Sequence, residues 1–229
     1  MTQSVDLANA INTFVKGCKT DGTWDAIKEC CIMAAWDGLT GALYPLKGGA
    51  PTNIGPFVSA DYNRKLGLQG NGSSKALVSS RRISDDSQNN CHISYFPTSY
   101  GGSNYPMGTQ STNSTGSMHF VNDVERCRNI GIGGGGGFVI DNALRGLSRS
   151  DRANYVSRNG GTSTTRTTAS QAPVQNWYYG IFGTATSAGT MYNYNNARIA
   201  FYSIGESLDL TLLDNRVSTL MTDIGAAIP

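Results

Sequence analysis

Apolar positions near the start of the chain recur at helical spacing. Leu7, Ile11, Phe14, Val15 and Cys18 fall at intervals of three and four, and Gly22 marks a stop, which predicts a first helix. Thr23 suits the N-cap of a second, one that presents Trp24, Ile27, Cys31 and Ala35 to a core before Gly38 and Gly41 break it, so the opening segment is expected to be an αα-hairpin. From Ala42 the pattern changes to short apolar runs bounded by Gly, Pro, Asn and Ser, which predicts strands at Ala42–Leu46, Ala76–Val78, His92–Phe96, Gly137–Ile140, Asn154–Ser157, Trp177–Phe182 and Arg198–Tyr202. Ser99 to Gly116 reads as a long polar surface loop, the natural place for recognition. Helical spacing returns with Leu210, Leu213, Val217, Leu220, Met221 and Ile224, and Asp209, Asp214, Asn215, Arg216 and Asp223 are expected on the opposite, solvated side. No period of 20 to 50 residues repeats. The expectation is one domain: a helical segment 1–41, an all-β, antiparallel sandwich 42–205, and a C-terminal helix 206–229.

Composition agrees with many short strands and tight turns. Of 229 residues 28 are glycine, 39% are hydrophobic and only 15% charged, and a chain of this length buries roughly 70–75% of its unfolded surface without help from metals or crosslinks. The net charge of +2 comes from dispersed Lys and Arg, read as a mixed solvated surface, so neither nucleic acid nor an anionic membrane is an expected partner. The longest apolar run, Cys30–Trp36, is far short of a membrane span, and Met1–Ser4 lacks the basic start of a secretory signal, which implies folding in a cytoplasm. Cysteines at 18, 30, 31, 91 and 127 are odd in number and form no CxxC, a pattern of free thiols.

Candidate chemistry is sparse. Gly131, Gly133 and Gly136 satisfy G-x-G-x-x-G, but the residues that follow, Phe138–Asp141, read as a strand where a dinucleotide loop needs a helix. The only histidines, His92 and His119, have no zinc spacing, and adjacent Cys91 and His92 would point to opposite faces of a strand. No cofactor is expected; calcium, held by loop carboxylates and carbonyls, is the one ion the pattern leaves open, with the Asp85-Asp86 doublet read as a solvated turn. Three glutamates, Glu29, Glu125 and Glu206, form no paired-carboxylate motif, so the chain is read as non-enzymatic, with no catalytic residue assigned. Aromatics remain: Trp177 to Tyr179 are expected in the core, whereas Tyr100, Asn104, Tyr105, Tyr192 and Tyr194 lie on loop-like stretches where a flat ring beside amide donors suits a sugar face.

The C-terminal third resembles concanavalin A-like, laminin-G-like domains. Tyr155-Val156-Ser157-Arg158-Asn159-Gly160 is similar to their strand ending in an Asn-Gly turn, Trp177–Gly183 to the next core strand, and Ala197–Leu208 to the final strand leading into a helix. Ala42–Leu46, Pro51–Asn53, Phe57–Lys65 and Gly67–Lys75 resemble lectin-like modules of bacteriophage structural proteins. That resemblance implies a jelly-roll sandwich and a virion setting, as a head decoration or a tail- or fibre-associated subunit assembled in the host cytoplasm. Other virion proteins are then the expected partners, and the amphipathic helices expected at both ends, which a bare sandwich does not need, are read as the surfaces through which the chain packs as a homo-oligomer. A host-surface glycan is the alternative partner, with a polysaccharide depolymerase as a third reading.

Overall fold

The computed structural model describes residues 2–99, 102, 105–110, 116–121, 124–129, 133–134 and 143–228. Tyr100, Asn104, the Gly137–Ile140 strand and most of the glycine run lie outside them. Helix α1 (Thr2–Thr20) leads into strand β1 (Ile27–Ile32) and the single turn α2 (Leu39–Ala42). There follow β2 (Thr52–Ile54), β3 (Tyr62–Asn63), β4 (Gly67–Gln69), β5 (Ala76–Arg82), β6 (Cys91–Ser99), β7 (Met107–Thr109), β8 (Ser117–Val121) and β9 (Val124–Asn129). Next come β10 (Gly133–Gly134), β11 (Arg145–Arg149), β12 (Asn154–Asn159), β13 (Thr162–Thr167), β14 (Tyr178–Ile181), β15 (Thr184–Ala185) and β16 (Met191–Tyr192), and the chain ends with β17 (Arg198–Gly205) and α3 (Leu210–Ala227).

Two sheets form. One runs β13-β12-β11-β6-β17-β4-β3, with β1 also on β17; the other runs β10-β9-β8-β7-β14-β5-β2, with β15 and β16 attached at β7. Pairings among the described strands are antiparallel except β15 against β7. The main core lies between the sheets, where Cys31, Ile93, Tyr95, Leu147, Tyr155 and Tyr202 of the first meet Leu77, Met107, Phe120, Cys127, Tyr179 and Ile181 of the second. A second core lies on the far side of the first sheet, where Phe96, Ala200 and Phe201 are covered by Leu7, Phe14 and Cys18 of α1 and Leu210, Leu213, Val217, Leu220 and Ile224 of α3. Strand alternation explains both: in β17, Phe201 faces the helices and Tyr202 the other sheet.

The αα-hairpin does not form. Residues 27–32, expected as its second helix, are β1, paired with β17 from Ile27↔Gly205 to Ile32↔Phe201. Cys30 and Ile32 face the helical layer while Cys31 and Met33 face the sandwich core. A run buried on both sides belongs in a strand between two layers, since a surface helix hides only one stripe. The sandwich therefore begins before residue 42. Nor is Ala42–Leu46 a strand: Leu43 N–H closes the α2 turn on Leu39 O at 3.2 Å and Tyr44 stands exposed before Pro45.

The arginines also depart from a solvated surface, because Arg128, Arg145, Arg149 and Arg158 are buried. Arg149 gives its guanidinium to five carbonyls, those of Cys127 (2.8 Å), Asp151 (3.2 Å), Arg152 (3.2 Å), Asn154 (3.0 Å) and Thr168 (2.9 Å), and so ties the ends of β9, β11, β12 and β13 together. Five donors in a rigid fork make this possible without a carboxylate. Asp214, expected on the wet side of α3, is buried too; it accepts from Arg158 Nε at 2.6 Å and from Leu144 N at 2.9 Å. In the acidic doublet only Asp85 is exposed, since Asp86 is buried and paired with Arg81 at 2.7 Å. The five cysteines are free and buried, and burial pushes Cys18 up to about 11 and Cys31 up to about 12.

Candidate functional site

The loop after β6 and the turn after β16 come together at one end of the second sheet. Ser99 Oγ accepts from Arg198 N at 3.0 Å, and a methyl added to Gly102 would lie 3.7 Å from Asn196 Oδ1. Phe182 N donates to Pro106 O at 2.8 Å and Asn195 N to Phe182 O at 3.0 Å, so both segments are strapped to the chain between β14 and β15. Register extends the link: Tyr192 pairs with Thr184, Thr184 with Gly108, and Gly108 with His119.

The candidate residues fare differently. Tyr192 is 49% exposed, while its neighbour Met191 packs inward against Gly180 and Gly183. Tyr105 is half-buried with its ring edge-on to His119, centroids 5.0 Å apart. Tyr194 turns inward and packs against the main core. Tyr100 and Asn104 lie outside the described residues.

Beside Tyr192 stands a polar group that the sequence did not single out. Asn193, in left-handed backbone at φ 52, gives its side-chain amide to Thr184 Oγ1 at 3.1 Å, and that hydroxyl donates to Gln110 Oε1 at 2.6 Å. Asn is the residue that tolerates this backbone region best after glycine, which is the signal that could have marked it. A half-exposed phenol ring next to two side-chain amides can stack on an apolar sugar face and bond its hydroxyls.

The rest of the titratable chemistry is interior. His119 is buried, and burial aided by Arg126 lowers it to about 3, so its imidazole is neutral at physiological pH. His92 is lowered to about 4, chiefly by burial. It donates from Nδ1 to Glu206 O at 2.6 Å and accepts at Nε2 from Ser203 Oγ at 2.9 Å, on the face opposite to Cys91. Glu29 reaches between the sheets: Tyr202 Oη donates to it at 2.8 Å and Ser80 N at 2.9 Å, and burial raises its carboxyl. Glu125 is buried, and Glu206 pairs with Lys28 at 3.1 Å. Among the described residues no three His, Cys, Asp or Glu cluster as a metal site would require. On the helical side an apolar depression of 430 Å³ is lined by Leu7, Ile11, Trp36 and Arg64.

Comparison with protein-family models finds no match, and neither does comparison with curated proteins.

Proposed function

We infer that the chain is a structural subunit of a bacteriophage particle, built on a jelly-roll sandwich of the concanavalin A type. The observation that carries this reading is the C-terminal run, in which β17 crosses the centre of a two-sheet sandwich and passes into α3 in the order implied by the resemblance of Ala197–Leu208. The helical layer and its depression beside Trp36 offer a face for neighbouring virion proteins, as a head decoration or a tail- or fibre-associated subunit requires. Mass spectrometry and cryo-EM of purified particles test it: the chain is expected in stoichiometric copy number, and its absence from the particle overturns the reading.

The Tyr192–Asn193 edge favours a second role, adhesion to a host-surface glycan, compatible with the first. Host polysaccharides on an array should retain the protein, and Tyr192→Ala should weaken that retention tenfold or more, a loss of about 1.4 kcal/mol, with the thermal midpoint unchanged. Retention that survives the substitution overturns the site. The glutamates favour no depolymerase, since Glu29 and Glu125 are buried and Glu206 is engaged with Lys28.

A further inference from the structure

Among the described residues, strand β13, Thr-Ser-Thr-Thr-Arg-Thr, closes one end of the eight-stranded sheet and pairs only with β12, in unbroken register from Asn154↔Thr167 to Asn159↔Thr162. The other strands at sheet ends, β2, β3 and β10, have three, two and two residues. The outer side of β1 is occupied, since Leu46 N donates to Cys30 O and Cys30 N to Lys47 O. β13 has six residues, all but Arg166 exposed, and carries no proline, lysine or bulge. Soluble proteins rarely leave such an edge open, because its free N–H and C=O groups template another strand.

The direction of those groups follows from the turn. Gly160 and Gly161 both have positive φ, 58 and 69, the two-residue hairpin in which the flanking residues, Asn159 and Thr162, form a bonded pair. Bonded pairs alternate along an antiparallel ladder, so Thr164 and Arg166 also face β12, and the series continues with Thr168 N donating to Ala153 O at 2.8 Å. The backbone groups of Ser163, Thr165 and Thr167 therefore point outward.

We propose that this edge pairs with the same edge of a second copy, antiparallel about a two-fold axis through Thr165, joining two eight-stranded sheets into one. The strand is complementary to itself in that register. Thr165 exchanges bonds with its own copy and Ser163 with Thr167, which gives roughly six backbone hydrogen bonds at two per bonded pair. Arg166, the one charge, falls opposite Thr164. Moving the axis one step toward the C-terminus sets Arg166 against Arg166, and one step the other way leaves Thr167 facing the turn; like charges directly opposite are destabilising. Beside the edge, a groove of 300 Å³ between β13 and the start of α3, lined by Val156, Ser163, Thr165, Leu208, Asp209 and Thr211, receives the side chains that the incoming strand presents on that face. A two-fold contact closes on itself and consumes both edges. The inference rests on the edge alone and stands apart from the virion reading.

Sedimentation equilibrium of the full chain, up to about 100 µM, should give twice the 24.4 kDa of one copy. Thr165→Pro deletes the outward N–H on the axis and spares every bond to β12, so circular dichroism should be unchanged and the mass should fall to one copy. Thr165→Lys places two ammonium groups at the axis and should weaken the dimer at least tenfold in low salt, with recovery near 1 M where the Debye length is about 3 Å. If the proline variant loses its fold, the lysine variant decides. A one-copy mass for the wild type, a two-copy mass that persists in folded Thr165→Pro, or a Thr165→Lys dimer as tight as the wild type in low salt overturns the proposal.

Discussion

Asp214→Ala should detach α3 from the sandwich energetically without touching the main core. The carboxylate is 4% exposed and accepts from Arg158 Nε at 2.6 Å, Leu144 N at 2.9 Å and Ser218 Oγ at 3.1 Å, and Arg158 is itself only 6% exposed. Truncation leaves a buried guanidinium without its counter-charge, which costs about 3–5 kcal/mol. The orphaned Leu144 amide belongs to the same loss and is not added to it, because contacts within one network are not additive. Against a total stability of about 5–15 kcal/mol this is a fifth or more. With a urea slope of about 2 kcal/mol/M the midpoint should fall by about 2 M at unchanged slope. The double variant Arg158→Met with Asp214→Leu should recover most of the loss, since apolar replacement of both partners removes the unpaired charge. A single variant within about 1 kcal/mol of wild type, inside the range of an ordinary surface substitution, or a double variant no better than the single one, refutes the assignment of the pair as the anchor of α3.

Glu29 gives a pH dependence of opposite sign to the usual carboxylate. Its folded value is raised, mainly by burial, above an unfolded value of about 4.3, so the stability it contributes is full at lower pH and lost as pH rises through the folded value. Thermal midpoints between pH 4 and 8 should therefore show Glu29→Gln gaining on the wild type as pH increases, and a difference that is flat or shrinks with pH contradicts this. Gly161 has φ 69 with nothing within 4 Å of where a Cβ would stand, so Gly161→Ala should cost about 1–2 kcal/mol from backbone conformation alone, read by urea melts. All five thiols are buried, so a colourimetric thiol reagent should label none in the native protein and five in denaturant; rapid native labelling would show a core more open than described.

Elements with one apolar stripe were the legible ones. The α3 pattern placed Leu213, Val217, Leu220 and Ile224 correctly because packing follows that stripe, but it misplaced Asp214, whose burial depends on Arg158, 56 residues away. Ile27–Ile32 was misread because a segment apolar on both sides satisfies helical and strand spacing alike. The β12–β13 hairpin was anticipated one residue early, as Asn159-Gly160; the turn residues are Gly160 and Gly161, and Asn159 ends the strand. Burial of Arg149 has no local signature, because the carbonyls that satisfy it come from three separate loops and strands. At the candidate site, Tyr192 and Tyr194 looked equivalent, both on one loop-like stretch. The left-handed Asn193 between them breaks the alternation, which sends Tyr192 outward and Tyr194 into the core.

The two ends of the chain share one layer: β1 pairs with β17, α1 packs along α3, and Arg216 Nε clasps Asp21 at 2.7 Å where Gly17 lets the helices approach. During synthesis, then, β1 waits for β17, and the apolar underside of α1 has nothing to rest on until α3 has been made. Contacts so distant along the sequence fold slowly and leave sticky intermediates. Products truncated before α3 should consequently aggregate rather than persist as partly built sandwiches, and α3 acts as the latch that closes this layer.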